Sequence, residues 1–206
     1  DGKAFVGTCH NAPYSCETRA LDVKTGRTIW TNPYGGSDCT PTVDRGLVFV
    51  NATTAETEPY NTGGRVAVAA IDERSGKTKW THRFERAPFT YVASSERQIA
   101  GTAEGGVLYQ SIGNLQRVVA FDERTGKVRW TAHTSGNVKM SPVVKDDRVY
   151  FGDTAGILYS VDRRNGRVLH TTSFLQPFSV SSPVIDGETL FIADGNMVVA
   201  MPLEGL

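Results

Sequence analysis

Ala120-Phe121-Asp122-Glu123-Arg124-Thr125-Gly126-Lys127-Val128-Arg129-Trp130 decides the fold, because the same phrase is written four times in this chain. The other copies run from Ala20 to Trp30, from Ala70 to Trp80 and from Ser160 to His170, where the closing tryptophan has become histidine. The motif aspartates Asp22, Asp72, Asp122 and Asp162 follow one another at intervals of 50, 50 and 40 residues. Repeats of that period stack as propeller blades or solenoid units. Apolar residues alternate up to each aspartate, which predicts a strand rather than a helix. A short turn then closes at Gly26, Gly76, Gly126 or Gly166. An aspartate at the head of such a turn can accept backbone N–H bonds from the residues just ahead, and glycine supplies the left-handed conformation that closes it. The phrase therefore reads strand, tight turn, strand.

Two more strand-like runs precede each copy, for example Met140 to Val144 then Arg148 to Phe151, and Val180 to Ile185 then Thr189 to Ile192. Four strands per repeat make a propeller blade. The expected fold is all-β, a propeller of four-stranded antiparallel blades forming one domain over residues 1–206. Blade limits fall near 1–36, 37–86, 87–136, 137–176 and 177–206, with three complete blades and two partial ones. The chain is then either a five-bladed ring joined at its ends or the C-terminal part of a seven- or eight-bladed ring. Trp30, Trp80 and Trp130 close their repeats at one place, where an indole can wedge between neighbouring blades and donate its N–H to a backbone carbonyl.

The pattern Ala-x-Asp-x-x-Thr-Gly-x-x-x-Trp, with a Ser-Pro first strand and an Asp-Gly turn into the second, resembles the tryptophan-docking repeat of PQQ-type propellers. That family includes quinoprotein alcohol and glucose dehydrogenases, the propeller lipoprotein of the bacterial outer-membrane assembly machine, and sensor domains of membrane-bound serine/threonine kinases. The resemblance implies the fold across the whole chain and leaves the function open, because one fold hosts many functions. The dehydrogenase reading requires PQQ with calcium, a carboxylate base beside the quinone and an adjacent cysteine pair. This sequence has no adjacent cysteines.

Composition narrows the partners. Lys+Arg and Asp+Glu are balanced at 22 each, so no net field draws the chain to nucleic acid. No apolar run approaches the ~20 residues of a membrane-spanning helix, so any membrane anchor lies outside these residues. Cys9 and Cys16 lie close together in a polar stretch rich in turn formers, Thr8 to Thr18, and their spacing suits a disulfide clipping a loop in an oxidising, extracytoplasmic, bacterial-type compartment; two unpaired loop thiols are the alternative. Four scattered histidines and no Cys-x-x-Cys pair leave no metal-ligand set, and no catalytic constellation is readable.

A propeller keeps its scaffold and varies its loops. Blade one places Thr8 to Thr18 between its second and third strands, and blade two places Asn51 to Gly64 there. Tyr14, Glu56, Glu58, Tyr60 and Asn61 are the candidate contact residues for a protein or small-molecule ligand, since tyrosine combines buried area with a polar tip. A third insertion, Ser94 to Gly106, is expected between the first and second strands of the middle blade. The reading at this stage is a non-catalytic scaffold or receptor-kinase sensor module without a cofactor, with a quinoprotein dehydrogenase fragment as the alternative.

Overall fold

The computed structural model describes residues 2–11, 14–35, 40–53, 66–85, 99–178, 180–194 and 197–206. Five antiparallel sheets follow one another along the chain. The first holds β1 (Lys3–Asn11), β2 (Tyr14–Asp22) and β3 (Thr28–Asn32), and the second β4 (Thr42–Asp44), β5 (Leu47–Thr53), β6 (Val66–Asp72) and β7 (Thr78–Arg83). The third is β8 (Thr102–Glu104), β9 (Val107–Ile112), β10 (Arg117–Asp122) and β11 (Val128–His133). The fourth is β12 (Val143–Lys145), β13 (Arg148–Gly152), β14 (Ile157–Asp162) and β15 (Val168–Ser173), and the fifth β16 (Val184–Asp186), β17 (Thr189–Asp194) and β18 (Met197–Pro202). In every sheet the strands pair in chain order, the up-and-down arrangement of a propeller blade.

The short first strands form the inner edge of the arc. β4 touches β8, β8 touches β12, and β12 touches β16. Hydroxyls stitch these strands together, Thr42 Oγ1 donating to the Gly101 carbonyl at 2.7 Å and Thr102 Oγ1 to that of Pro142 at 2.5 Å. The hydroxyl-bearing Ser182 joins the same inner stitching, accepting the Ser141 N–H at 2.9 Å. Outward from this edge, apolar side chains of successive sheets merge into cores between sheets one and two, two and three, and three to five.

Each repeat turn is closed in the same way. Asp22 Oδ1 accepts the N–H groups of Lys24 and Thr25 at 3.1 and 2.8 Å, and Asp72 and Asp122 accept those of Ser75 and Thr125 at 2.8 and 3.0 Å. Asp162 takes the Arg164 N–H at 2.7 Å. Hydrogen bonds from Arg129 and Thr125 hold the Asp122 carboxyl near pKa about 2. A carboxyl lowered in the folded state stabilises the fold above its ordinary value, and that contribution disappears as pH falls through its folded value. The thermal midpoint of the protein is expected to fall between about pH 4 and pH 2 less steeply in Asp122→Asn than in the parent; superimposable acid limbs would remove this turn from the account.

Two expectations are corrected here. The described residues of Thr8 to Thr18 are strand and not loop: β1 and β2 remain paired from Lys3↔Asp22 out to Asn11↔Tyr14, and these paired strands are called the arm below. Ser94 to Gly106 does not lie between the first and second strands of the middle blade, because Thr102–Glu104 is itself the first strand and Gly105 and Gly106 are its turn into β9. The extra residues therefore precede β8. The ring joined at its own ends is not observed either, since the described sheets form an open arc whose first and last members each keep an uncovered face.

Candidate functional site

The faces between sheets are built from one cross-strand row. In sheet two Thr42, Phe49, Ala70 and Trp80 lie side by side, and in sheet three Thr102, Tyr109, Ala120 and Trp130. Sheet one supplies Phe5, Ala20 and Trp30. The small residue in the third strand makes room for the aromatic rings on either side, which approach to 5.6 Å for Phe5 and Trp30, 6.1 Å for Phe49 and Trp80, and 5.7 Å for Tyr109 and Trp130. A bulge just past each small residue, at Ala20/Leu21, Ala70/Ile71 and Ala120/Phe121, sets the tryptophan into this row.

The wedged indole then docks on the turn of the following sheet. Trp30 Nε1 donates to the Glu73 carbonyl at 3.0 Å, Trp80 to that of Glu123 at 2.7 Å and Trp130 to that of Arg163 at 2.9 Å. The ring lies where a side chain on the turn glycine would be: a Cβ on Gly76, Gly126 or Gly166 would meet Trp30, Trp80 or Trp130 at 2.5–2.7 Å. At Gly26 the same backbone conformation is present, with φ +70°, and a Cβ would meet nothing within 4 Å. Sheet one thus shows an empty tryptophan socket. At the other end of the arc, Val184, Phe191 and Ala200 repeat the row, and Phe191 is 37% exposed with Val198 on the same face 75% exposed.

The sequence-derived contact residues are only partly placed. Tyr14 begins β2 at the far end of the arm, with its side chain outside the described set; Glu56, Glu58, Tyr60 and Asn61 lie outside the described residues. What is shown is that β1 and β2 stay paired past the end of β3, with Cys16 and Thr18 buried. β3 pairs with β2 no further than Thr18↔Asn32, whereas β1 and β2 continue to Asn11↔Tyr14. β5 and β6 likewise run to Thr53↔Val66, on the same side. Cys9 stands directly opposite Cys16 in the arm. Opposed residues on antiparallel strands have Cα atoms about 4.5–5.5 Å apart, within the span of a disulfide.

Sequence reasoning missed a charged joint on the opposite rim. At each junction the residue after the motif aspartate meets the preceding sheet's first turn or the strand it leads into. Lys3 Nζ faces Glu73 Oε1 at 3.4 Å, and Arg163 Nη1 faces Glu104 Oε1 at 2.8 Å while its Nε donates to Tyr109 Oη at 2.9 Å. Between these two ion pairs, the joint of sheets two and three brings Glu123 to Asp44, two carboxyls. Glu123 is 3% exposed and its Oε1 is buried without a donor. A cavity of ≈ 570 Å³ opens beside it, lined among others by Arg45, Asp122, Arg124 and Arg129. The signal was present in the sequence only as Glu123 standing where Arg163 stands.

No group of three or more candidate metal ligands occurs among the described residues, and no helix is long and apolar enough to cross a membrane. The family described as "Outer membrane protein assembly factor BamB" matches residues 2–83 and again 63–205. The chain belongs to the PQQ-repeat β-propeller family. Among solved structures, BamB from Moraxella catarrhalis is similar at 19% identity and TM-score 0.67, over 97% of this chain and 53% of that one. Quinohemoprotein alcohol dehydrogenase from Comamonas testosteroni is similar at 16% identity and TM-score 0.73, over 97% and 43%. The computationally designed Ika4 protein follows at 11% and 0.59, over 83% of this chain and 96% of that one. At these identities the likeness establishes the fold of a PQQ-repeat propeller. This member spans about half the length of the BamB structure it matches. No curated protein sequence matches it.

Proposed function

We propose that this PQQ-repeat chain is part of a non-catalytic, extracytoplasmic scaffold that binds a protein through the side of the propeller carrying the β1–β2 arm. The observation that carries the reading is the arm itself: paired strands continuing past β3 make a stiff ribbon rather than a loose loop, on the same side as the extended β5–β6 hairpin. Rigid elements cost less ordering entropy on binding than flexible loops do. The family's description as an outer-membrane assembly factor supplies the class of partner, a protein of the cell envelope. A Cys9–Cys16 disulfide would lock the arm and suits an oxidising compartment. Further blades of the same repeat would cover the Gly26 socket and the Phe191 face.

The motif aspartates support the non-catalytic side of this reading. Asp22, Asp72, Asp122 and Asp162 are held as acceptors in tight turns, each with backbone N–H groups on its carboxylate. In Asp22, Asp72 and Asp122 these bonds lower the proton affinity of the carboxylate, which makes each a poor general base.

Photocrosslinking residues placed at Tyr14 and Tyr60 are expected to capture an envelope protein in cells, while the same residue at Val23, exposed on the opposite rim, captures none. Equal yields at the three positions would reject the arm as the binding side. A saturable shift of quinone absorbance when PQQ and calcium are added to the protein would instead establish the dehydrogenase reading.

A further inference from the structure

The three joints closed by a docked tryptophan differ in one respect that the repeat does not require. Sheets one and two meet through Lys3 and Glu73, and sheets three and four through Glu104 and Arg163, a cation and an anion each time. At the joint of sheets two and three these positions hold Asp44, which ends β4 as Glu104 ends β8, and Glu123, which follows its motif aspartate as Arg163 does. Glu123 is 3% exposed and faces the half-buried Asp44, so desolvation of Glu123 and mutual repulsion each oppose ionisation of both carboxyls together. The structure offers Glu123 little relief. Phe49 occupies the row position that Tyr109 holds one joint on, so no hydroxyl faces Glu123 as Tyr109 Oη faces Arg163. Glu123 Oε1 is buried without a donor.

We propose that Asp44 and Glu123 share a proton, making the joint between sheets two and three a latch that is closed by acid and loosened by base. A carboxyl donating to a carboxylate replaces the ion pair of the neighbouring joints. Loss of that proton leaves two negative charges between the β4–β5 turn and the β10–β11 turn. The latch also bears on the docked indole, because the Glu123 carbonyl accepts the Trp80 N–H and its own N–H donates to the Gly106 carbonyl at 3.2 Å.

The surrounding charges set the working range. Arg45, from the β4–β5 turn, lies 3.5 Å from Asp44, and Asp122, from the same turn as Glu123, is paired at 2.7 Å with Arg129 of β11. Arg124 completes the charged lining of the cavity. Burial first, then the facing Asp44, push the Glu123 carboxyl up to about 7, with Arg45 pulling the other way and Asp122 adding to the rise. A carboxyl raised in the folded state holds a proton that the unfolded chain has released. Its contribution is therefore complete below about pH 4.5 and is lost as pH rises through about 7.

The test compares thermal midpoints of the protein, Glu123→Gln and Asp44→Asn from pH 5 to pH 8.5. The parent is expected to drop relative to Glu123→Gln across pH 7, the gap reaching roughly 4 °C at the alkaline end, while Asp44→Asn shows a flatter profile than the parent. Carbon-13 titration of the Glu123 carboxyl in the unaltered protein reads the same proton without a substitution, and a midpoint near neutrality is expected. Parallel melting profiles for parent and Glu123→Gln, or an ordinary carboxylate midpoint, would overturn the proposal. So would recovery of the alkaline deficit by millimolar calcium chloride, because the pair would then hold a cation in place of a proton.

Discussion

Trp130→Ala is expected to lose about 3–5 kcal/mol of folding stability, the range for truncating a large buried aromatic. The indole is 6% exposed in the core that joins sheets three to five. It fills the space over Gly166, packs at a tilt 5.7 Å from Tyr109 and donates its N–H to the Arg163 carbonyl. Its removal opens a cavity at the joint that carries sheets four and five, and also leaves a carbonyl without its donor. Trp130→Phe separates the two effects. It keeps most of the apolar area and loses the N–H, so about 1–2 kcal/mol is expected. Urea titration gives both values as shifts of the midpoint, provided the slope is unchanged. A Trp130→Ala protein within about 1 kcal/mol of the parent would contradict the wedge assignment.

That result would also show how the repeat was readable in one dimension. Each copy contains every part of its own turn: the aspartate acceptor, the glycine at φ near +70° and the alternation that puts Phe121 and Val119 on one face and Ala120 on the other. Strand type, turn and period are local properties, so residues such as Asp122 and Gly126 could be assigned directly. The tryptophan's role was legible from its fixed place in the repeat. The bulge that seats it opposite Ala120 was not, since nothing in the sequence marks Arg129 as an extra residue between Val128, which faces Phe121, and Trp130.

Properties that depend on two repeats at once were hidden. Glu123 is an unremarkable turn residue until it is known that Asp44, some eighty positions earlier, faces it from the preceding sheet. The arm failed for a different reason. Asn11, Ala12, Pro13 and Ser15 have the composition of a loop, and that polar signal outweighed the weaker evidence for continued pairing of Thr8 with Glu17 and Cys9 with Cys16. Strand propensity is a property of the pleated surface a residue joins, and the surface that alternately buries Cys16, Thr18 and Ala20 along β2 is supplied by other parts of the chain.

Gly126→Ala is expected to cost about 3 kcal/mol or more, and Gly26→Ala only about 1 kcal/mol, although the two glycines have φ of +69° and +70°. The backbone penalty for a side chain in the left-handed region is common to both. The difference is the neighbour: a Cβ at Gly126 would lie 2.5 Å from the Trp80 ring, and one at Gly26 meets open space. The ring cannot yield freely, because its N–H is fixed to the Glu123 carbonyl and its faces pack against Phe49 and Phe121. A loss of only about 1 kcal/mol for Gly126→Ala in urea titration would assign the glycine to the turn alone and deny it any part in the joint. The same pair of substitutions reports on the uncovered socket of sheet one. With a tryptophan of a preceding blade docked over Gly26, the cost of Gly26→Ala rises toward that of Gly126→Ala, so this single variant measures whether the arc is extended on that side.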